Sequence, residues 1–167
     1  MLEASILRAL RPRHILFLCV QNSARSQIAE GIARFLAPPG VTVSSAGSSP
    51  AFVRPQAIRV LKEIGIDISA HRSKAIEEIG EIDGAPVDTV VTLCAEEVCP
   101  LYLGDTLRLH WGLPDPAKVK GDDEARLNAF RATRDELFRR LKLVFEELPG
   151  VAGEGLTPPV ETGNRGG

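Results

Sequence analysis

The residues best suited to do chemistry fall in one short stretch, CVQNSARS, running from Cys19 to Ser26. It joins a solid apolar run, HILFLC (14–19), to an amphipathic segment. A turn between a buried strand and a helix start directs backbone N–H groups inward, and the helix dipole adds partial positive charge. A tetrahedral oxyanion fits such a cradle, and Arg25 can clamp two of its oxygens in a fork. The same field stabilises a thiolate, which makes Cys19 the expected nucleophile. Asn22 and Ser26 can hold the loop in shape and donate to the sulfur. The expected oxyanion site is thus Cys19, Val20, Gln21, Asn22, Ser23, Ala24, Arg25 and Ser26.

Cysteine usage adds a second clue. There are three, Cys19, Cys94 and Cys99. An odd, small number argues against a disulfide framework and for a reducing, cytoplasmic home. Free cysteines are often no more than small buried hydrophobes. A zinc site on Cys94, Cys99 and histidines would need a second paired-ligand motif, which the sequence lacks, so no metal is expected. A non-catalytic oxyanion binder is the other competing class, separated by whether substrate is turned over. His71 and His110 are left outside the reacting set, since a lone histidine more often packs or hydrogen-bonds.

The elements that must position these residues follow from periodicity. With 167 residues, 44% hydrophobic and 25% charged, the chain reads as one globular domain with a real core. A formal net charge of -2 argues against a protein that grips nucleic acid. No apolar run approaches the roughly 20 residues of a membrane span, and the N-terminus does not read as a signal peptide. Residues 1–12 read as a loose leader with an amphipathic hint. A helix is expected from Ser23 or Ala24 to Pro38, with Ile28, Ile32 and Leu36 inward and Glu30 and Arg34 outward. VTVSS (41–45) reads as a strand. Pro55 suits the first turn of a helix whose inner face is Ala57, Ile58, Leu61 and Ile64. Ser73 is placed to cap a short helix ending near Gly80.

Val87–Leu93 and Leu107–His110 read as further strands, with a short helical turn between them. The longest helix is expected at about 122–148, with Leu127, Phe130, Leu137, Leu141, Val144 and Leu148 inward. The glycine- and proline-rich remainder, 150–167, reads as a disordered tail, leaving 13–149 as the domain. Strands alternating with helices predict an α/β fold, a four-stranded parallel sheet with helices on both faces. Ligands of such sheets bind beyond the carboxyl ends of the strands, where Cys19, Cys94 and Asp115 all fall.

These motifs carry a resemblance. CVQNSARSQIAEG, SSAG (44–47), DISAHRS (67–73), VVTLC (90–94) and HWGLPDPA (110–117) resemble, in order, those of the low-molecular-weight tyrosine phosphatase fold. They are most similar to the thioredoxin-coupled arsenate reductases within it. The resemblance covers about residues 13–148. It implies Cys19 as nucleophile, Arg25 as oxyanion clamp and Asp115, between Pro114 and Pro116, as general acid to the departing oxygen. It implies a relay in which Cys94 attacks the Cys19 sulfur, Cys99 then attacks Cys94, and external thioredoxin reduces the resulting pair. The implied partners are arsenate or a phosphate-like oxyanion and thioredoxin, on a monomer with no tightly bound cofactor.

The alternative is a phosphatase hydrolysing aryl phosphates through a cysteinyl-phosphate. Phosphatases of this fold typically carry a second loop cysteine where this chain has Ala24. Tyr102 and Trp111 are the only tyrosine and tryptophan, so aromatic recognition is poorly provided. The gap AEEV between Cys94 and Cys99 is shorter than in familiar members. Some members hold potassium behind the loop. Asn22, Glu30 and Ser45 match the positions around it, but the completing acidic residue is replaced by Lys74, whose ammonium could lie against Glu30.

Overall fold

A computed structural model of the chain describes residues 2–82, 85–95, 100, 102 and 104–146. Strand β1 (His14–Cys19) is buried along its whole length, as a strand covered on both faces must be. It pairs in parallel with β2 (Thr42–Gly47) and with β3 (Thr89–Thr92); β3 pairs in parallel with β4 (Leu107–His110). The strand order is β2-β1-β3-β4. The chain thus runs outward from β1 in one direction to β2, then reverses to build β3 and β4. The reversal leaves a crevice between the carboxyl ends of β1 and β3, where open parallel sheets take their ligands.

One face of the sheet carries α2 (Arg25–Leu36), α3 (Pro55–Lys62) and α5 (Asp123–Phe145), packed on Ile15, Phe17, Val91 and Leu93. The other face is closed by a 3₁₀ turn, Ile76–Glu78, and α4 (Ile79–Ile82), with Ile79 packed on Leu16, Leu18 and Val90. Helices on both faces, as expected, therefore means a thick layer on one side and a thin one on the other. Asp122 caps α5 by accepting from the Ala125 N–H, and Leu127, Phe130, Leu137, Leu141 and Val144 are buried along it.

Several expectations are corrected. The first residues are not a loose leader: Leu2–Leu10 form α1, with Ala4 and Leu7 fully buried against the core and the helix packed on α5. The burial comes from a helix more than a hundred residues away, which local sequence does not display. On α3, Val60 joins Ala57 and Leu61 inside, whereas Ile64 lies beyond the helix end and is 37% exposed. Ser73 does not cap; its hydroxyl donates to the Asn22 carbonyl, and Glu78 instead reaches back to the Ala75 N–H. Glu30, expected to face away, is buried. The helical turn expected after Cys94, Cys99 itself, the helix end at Leu148 and the tail lie outside the described residues. Among the described residues no helix is long and apolar enough to cross a membrane.

Candidate active site

The loop after β1 is held from outside by its carbonyls. Val20 accepts from the Ser49 N–H at 2.9 Å, Gln21 from Ala51 at 3.1 Å and Ser23 from Arg54 at 2.9 Å. The Asn22 carbonyl accepts from the Ser73 hydroxyl at 2.7 Å. In a trans peptide the N–H lies opposite the C=O, so with the carbonyls committed outward the intervening N–H groups face inward. Two backbone features permit this. Asn22 sits at φ 51, a left-handed conformation that Asn tolerates better than most residues. Gly47, at the end of β2, passes so close that a Cβ there would stand 2.3 Å from the Val20 carbonyl oxygen. The loop then enters α2, whose N-terminus points at the same space.

Beneath the loop lies a buried polar network centred on Asn22. Its amide nitrogen donates to Ser26 Oγ at 2.8 Å and Ser45 Oγ at 2.9 Å. Its amide oxygen accepts from Gln27 Nε2 and from the Lys74 N–H, each at 2.9 Å. Ser26 Oγ lies 2.8 Å from Cys19 Sγ. Because Ser26 already accepts from Asn22, its own proton is available for the sulfur. Asn22 and Ser26 are fully buried and position the loop with their side chains; they do not line its cavity.

The network continues to a buried ionic cluster. His71 Nδ1 lies 3.1 Å from Gln27 Oε1 and 3.0 Å from Glu30 Oε2, two acceptors that require the proton on this nitrogen. Lys74 Nζ lies 3.7 Å from Glu30 Oε1, and Arg34 reaches the same oxygen at 3.4 Å. Burial pushes the Glu30 carboxyl up, but the His71 hydrogen bond and the charges of Lys74, His71 and Arg34 outweigh it and hold the group below its ordinary value. Lys74, 8% exposed, is thus turned inward onto Glu30 rather than into solvent.

Over the loop opens a cavity of about 100 Å³ lined by Cys19, Val20, Gln21, Ser23, Ala24, Arg25, Asp115 and Lys118. Arg25 is fixed across the crevice: its guanidinium donates to the Leu113 carbonyl at 3.0 Å and the Leu93 carbonyl at 3.5 Å, and lies 3.8 Å from Asp115 Oδ2. Asp115 accepts from the Ala117 N–H through Oδ1, capping a 3₁₀ turn, Pro116–Lys118. It is a turn residue and a cavity residue at once. Lys118 is the one lining residue that sequence reading missed. Its signal was there: in a 3₁₀ turn, positions three apart lie on one side, so Lys118 follows Asp115 to the mouth.

Cys94 follows β3 across the crevice, is 1% exposed and is disulfide-bonded, whereas Cys19 is a free thiol. Cys99 lies outside the described residues. Trp111 is buried in the core, with Arg140 stacked on its ring at 5.7 Å, and so is not a surface on which a substrate ring could rest. Among the described residues no group of three His, Cys, Asp or Glu is arranged to hold a metal.

The model of the low molecular weight phosphotyrosine protein phosphatase family matches residues 14–150. An arsenate reductase of Halalkalibacterium halodurans is 44% identical over 134 residues, which cover 79% of this chain and 94% of that one. Among solved structures, an arsenate reductase in the phosphate binding state is 32% identical, with a TM-score of 0.64 over 80% of this chain and 96% of that chain. A thioredoxin-dependent arsenate reductase of Corynebacterium glutamicum is 28% identical, with a TM-score of 0.53 over 85% and 70% of the two chains. The likeness thus spans the sheet, the loop and the helices that carry the site, and the chain belongs to the low-molecular-weight phosphotyrosine protein phosphatase family, alongside its arsenate reductases.

Proposed function

We propose that this protein reduces arsenate to arsenite in the cytoplasm through a three-cysteine relay recharged by thioredoxin. One observation carries the reading: a free thiol sits in an oxyanion-shaped loop, and across the same crevice a second cysteine is already disulfide-bonded. A hydrolase needs only the first. A reductase must also supply two electrons, and thiols beside the pocket are their source.

In this scheme arsenate enters the loop with its oxygens on inward N–H groups and the Arg25 guanidinium. The Cys19 thiolate, stabilised by the Ser26 hydroxyl, attacks arsenic, and Asp115 protonates the oxygen that leaves as water. The Cys94 thiolate then attacks the Cys19 sulfur. The sulfur–arsenic bond breaks with its electron pair staying on arsenic, which leaves as arsenite, and a Cys19–Cys94 disulfide forms. Cys99 attacks Cys94 in turn, freeing Cys19, and thioredoxin, a dithiol, reduces the Cys94–Cys99 pair. Lys118, at the cavity mouth, adds positive charge that favours anion entry. The domain proposed for this chemistry is 13–149.

Arsenate-dependent NADPH oxidation in the presence of thioredoxin and thioredoxin reductase tests the reading. Cys19→Ser is expected to abolish it, and Cys99→Ser to stop after one round with a Cys19–Cys94 disulfide visible in peptide mass mapping. Full steady-state reduction by Cys94→Ser would sink the relay. Efficient aryl phosphate hydrolysis without any arsenate turnover would make the protein a phosphatase.

A further inference from the structure

The cavity over the loop has a volume of about 100 Å³, roughly the share of three water molecules in the liquid. That suits one tetrahedral oxyanion; an organic group esterified to it would have to lie outside. The lining has two sources. Cys19, Val20, Gln21, Ser23, Ala24 and Arg25 belong to the loop and the start of α2. Among the described residues, only Asp115 and Lys118 come from elsewhere, on the turn after β4.

In-line displacement puts the leaving group opposite the attacking sulfur. An anion seated with three oxygens toward the loop N–H groups therefore turns its fourth oxygen away from Cys19, toward that turn. There the two candidate substrate classes differ: the fourth oxygen is bare in arsenate or phosphate and carries the organic group in an ester. Resting on the oxyanion reading above, we propose that Lys118 binds this outward oxygen and so selects the free inorganic dianion over its esters.

The turn is built to present it. Asp115 Oδ1 accepts from the Ala117 N–H at 2.9 Å, the Lys118 N–H donates to the Asp115 carbonyl at 3.2 Å, and Pro114 and Pro116 each fix a backbone φ. Positions 115 and 118 thus share one side of a rigid turn. Their charges are not spent on each other. Arg25 lies 3.8 Å from Asp115, whereas Lys118 forms no ion pair among the described residues. The charge is also needed. The side chains of Arg25 and ionised Asp115 cancel, and the Cys19 thiolate leaves the pocket negative, so a dianion meets repulsion until Lys118 offsets it. No aromatic residue lines the cavity to hold an aryl group in exchange.

The test compares phosphate with methylphosphonate, a dianion of the same size whose outward position holds a methyl group. Binding of each to the full chain is measured by calorimetry at an alkaline pH at which both are dianions. Lys118 is exposed, so Lys118→Met spares the core. It is expected to weaken phosphate about 10-fold, the low end for a hydrogen bond to a charged group, and methylphosphonate less than about twofold. The wild-type preference for phosphate should then disappear, and Lys118→Arg, which keeps the charge and donors, should retain it. Equal weakening of both anions would reduce Lys118 to undirected attraction and overturn the proposal, as would unchanged phosphate affinity. Neither ligand is reduced, so phosphate selection without arsenate turnover would sink the reductase reading and leave this assignment standing. A wild type that bound neither anion would overturn the oxyanion site and this assignment with it.

Discussion

The molecule sets a carboxylate between two cations more than once, and two of these sites, at Glu30 and Glu63, behave differently. Behind the oxyanion loop, Glu30 is 2% exposed and holds Lys74 and Arg34. On the outer seam of α3 and α5, Glu63 is 32% exposed and takes Arg131 at 2.7 Å and Arg134 at 2.8 Å. Hydrogen bonds from Arg131 hold the Glu63 carboxyl at about 2, against partial desolvation, with the charge of Arg131 and the contacts of Arg134 adding to the effect. Both carboxyls are thus shifted down, but only one is connected to the candidate active-site loop. Glu30 and its partners run through His71, Gln27 and Asn22 to the Ser26 hydroxyl beside Cys19. Glu63 ends in solvent, where Coulomb attraction is screened and repaid by water. The direction of a shift therefore says little about importance; burial and connection decide it.

The sharpest way to break this comparison is at its hub. Asn22→Ala removes two donated and two accepted hydrogen bonds, one of the latter from the buried Lys74 N–H, and puts alanine at a left-handed φ. A loss of about 3 kcal/mol in stability is expected. Arsenate turnover should fall on the order of 100-fold as the loop loses its support. Urea unfolding and the coupled assay measure the two separately, and an unaltered rate would detach the network from the site.

Glu30→Gln comes next, because it leaves two cations facing a buried amide. It should cost about 3 kcal/mol, the low end for breaking a buried pair, and lower Tm by roughly 6–12 °C for a domain of this size. Its pH dependence has a definite sign. The folded carboxyl titrates below its ordinary value of 4.5, so its stabilisation is complete above that value and is lost as pH falls through the folded one. The gap in urea midpoint between wild type and Glu30→Gln should therefore be full at neutral pH and close in acid. A gap constant with pH would mean that the charge of Glu30 is not what stabilises the fold.

At the seam, Glu63→Gln should move Tm only slightly, and that small difference should vanish at about 1 M salt, where the Debye length is ~3 Å. A fall as large as that of Glu30→Gln would overturn the ranking. The smallest expected effect is none. With the Lys74 ammonium already against Glu30, activity and Tm should match in sodium and potassium salts at equal ionic strength. Saturable activation by potassium would show that Lys74 gives way to the ion.

Glu30 also marks the boundary of what the sequence discloses. A 3.6-residue period sorts positions by whether they share the apolar stripe, and Glu30 does not, so the helix rule sends it to water. The segment carrying His71 and Lys74 covers that flank, and a partner forty residues away leaves no periodic trace. The Lys74 contact itself was anticipated only through the resemblance, by matching positions around the ion site of relatives. Helix α1 escaped for the same reason, since Ala4 and Leu7 gain their burial from α5.

What the sequence determined by itself is the class of scaffold and which residues are candidates for chemistry. An apolar run followed by a polar turn and an amphipathic helix is local physics, and it placed Cys19 and Arg25 on one loop at a helix start, where an anion is proposed to bind. Repeated strand–helix alternation forces parallel strands, which gather Cys19, Cys94 and Asp115 at one edge. Only the tertiary structure decided the order β2-β1-β3-β4, and with it the crevice between β1 and β3. Only it turned the loop carbonyls outward onto residues 49–54 and 73, the condition for the N–H groups to face a ligand. Those bonds join segments tens of residues apart, and their energy depends on geometry that exists only once the sheet has assembled.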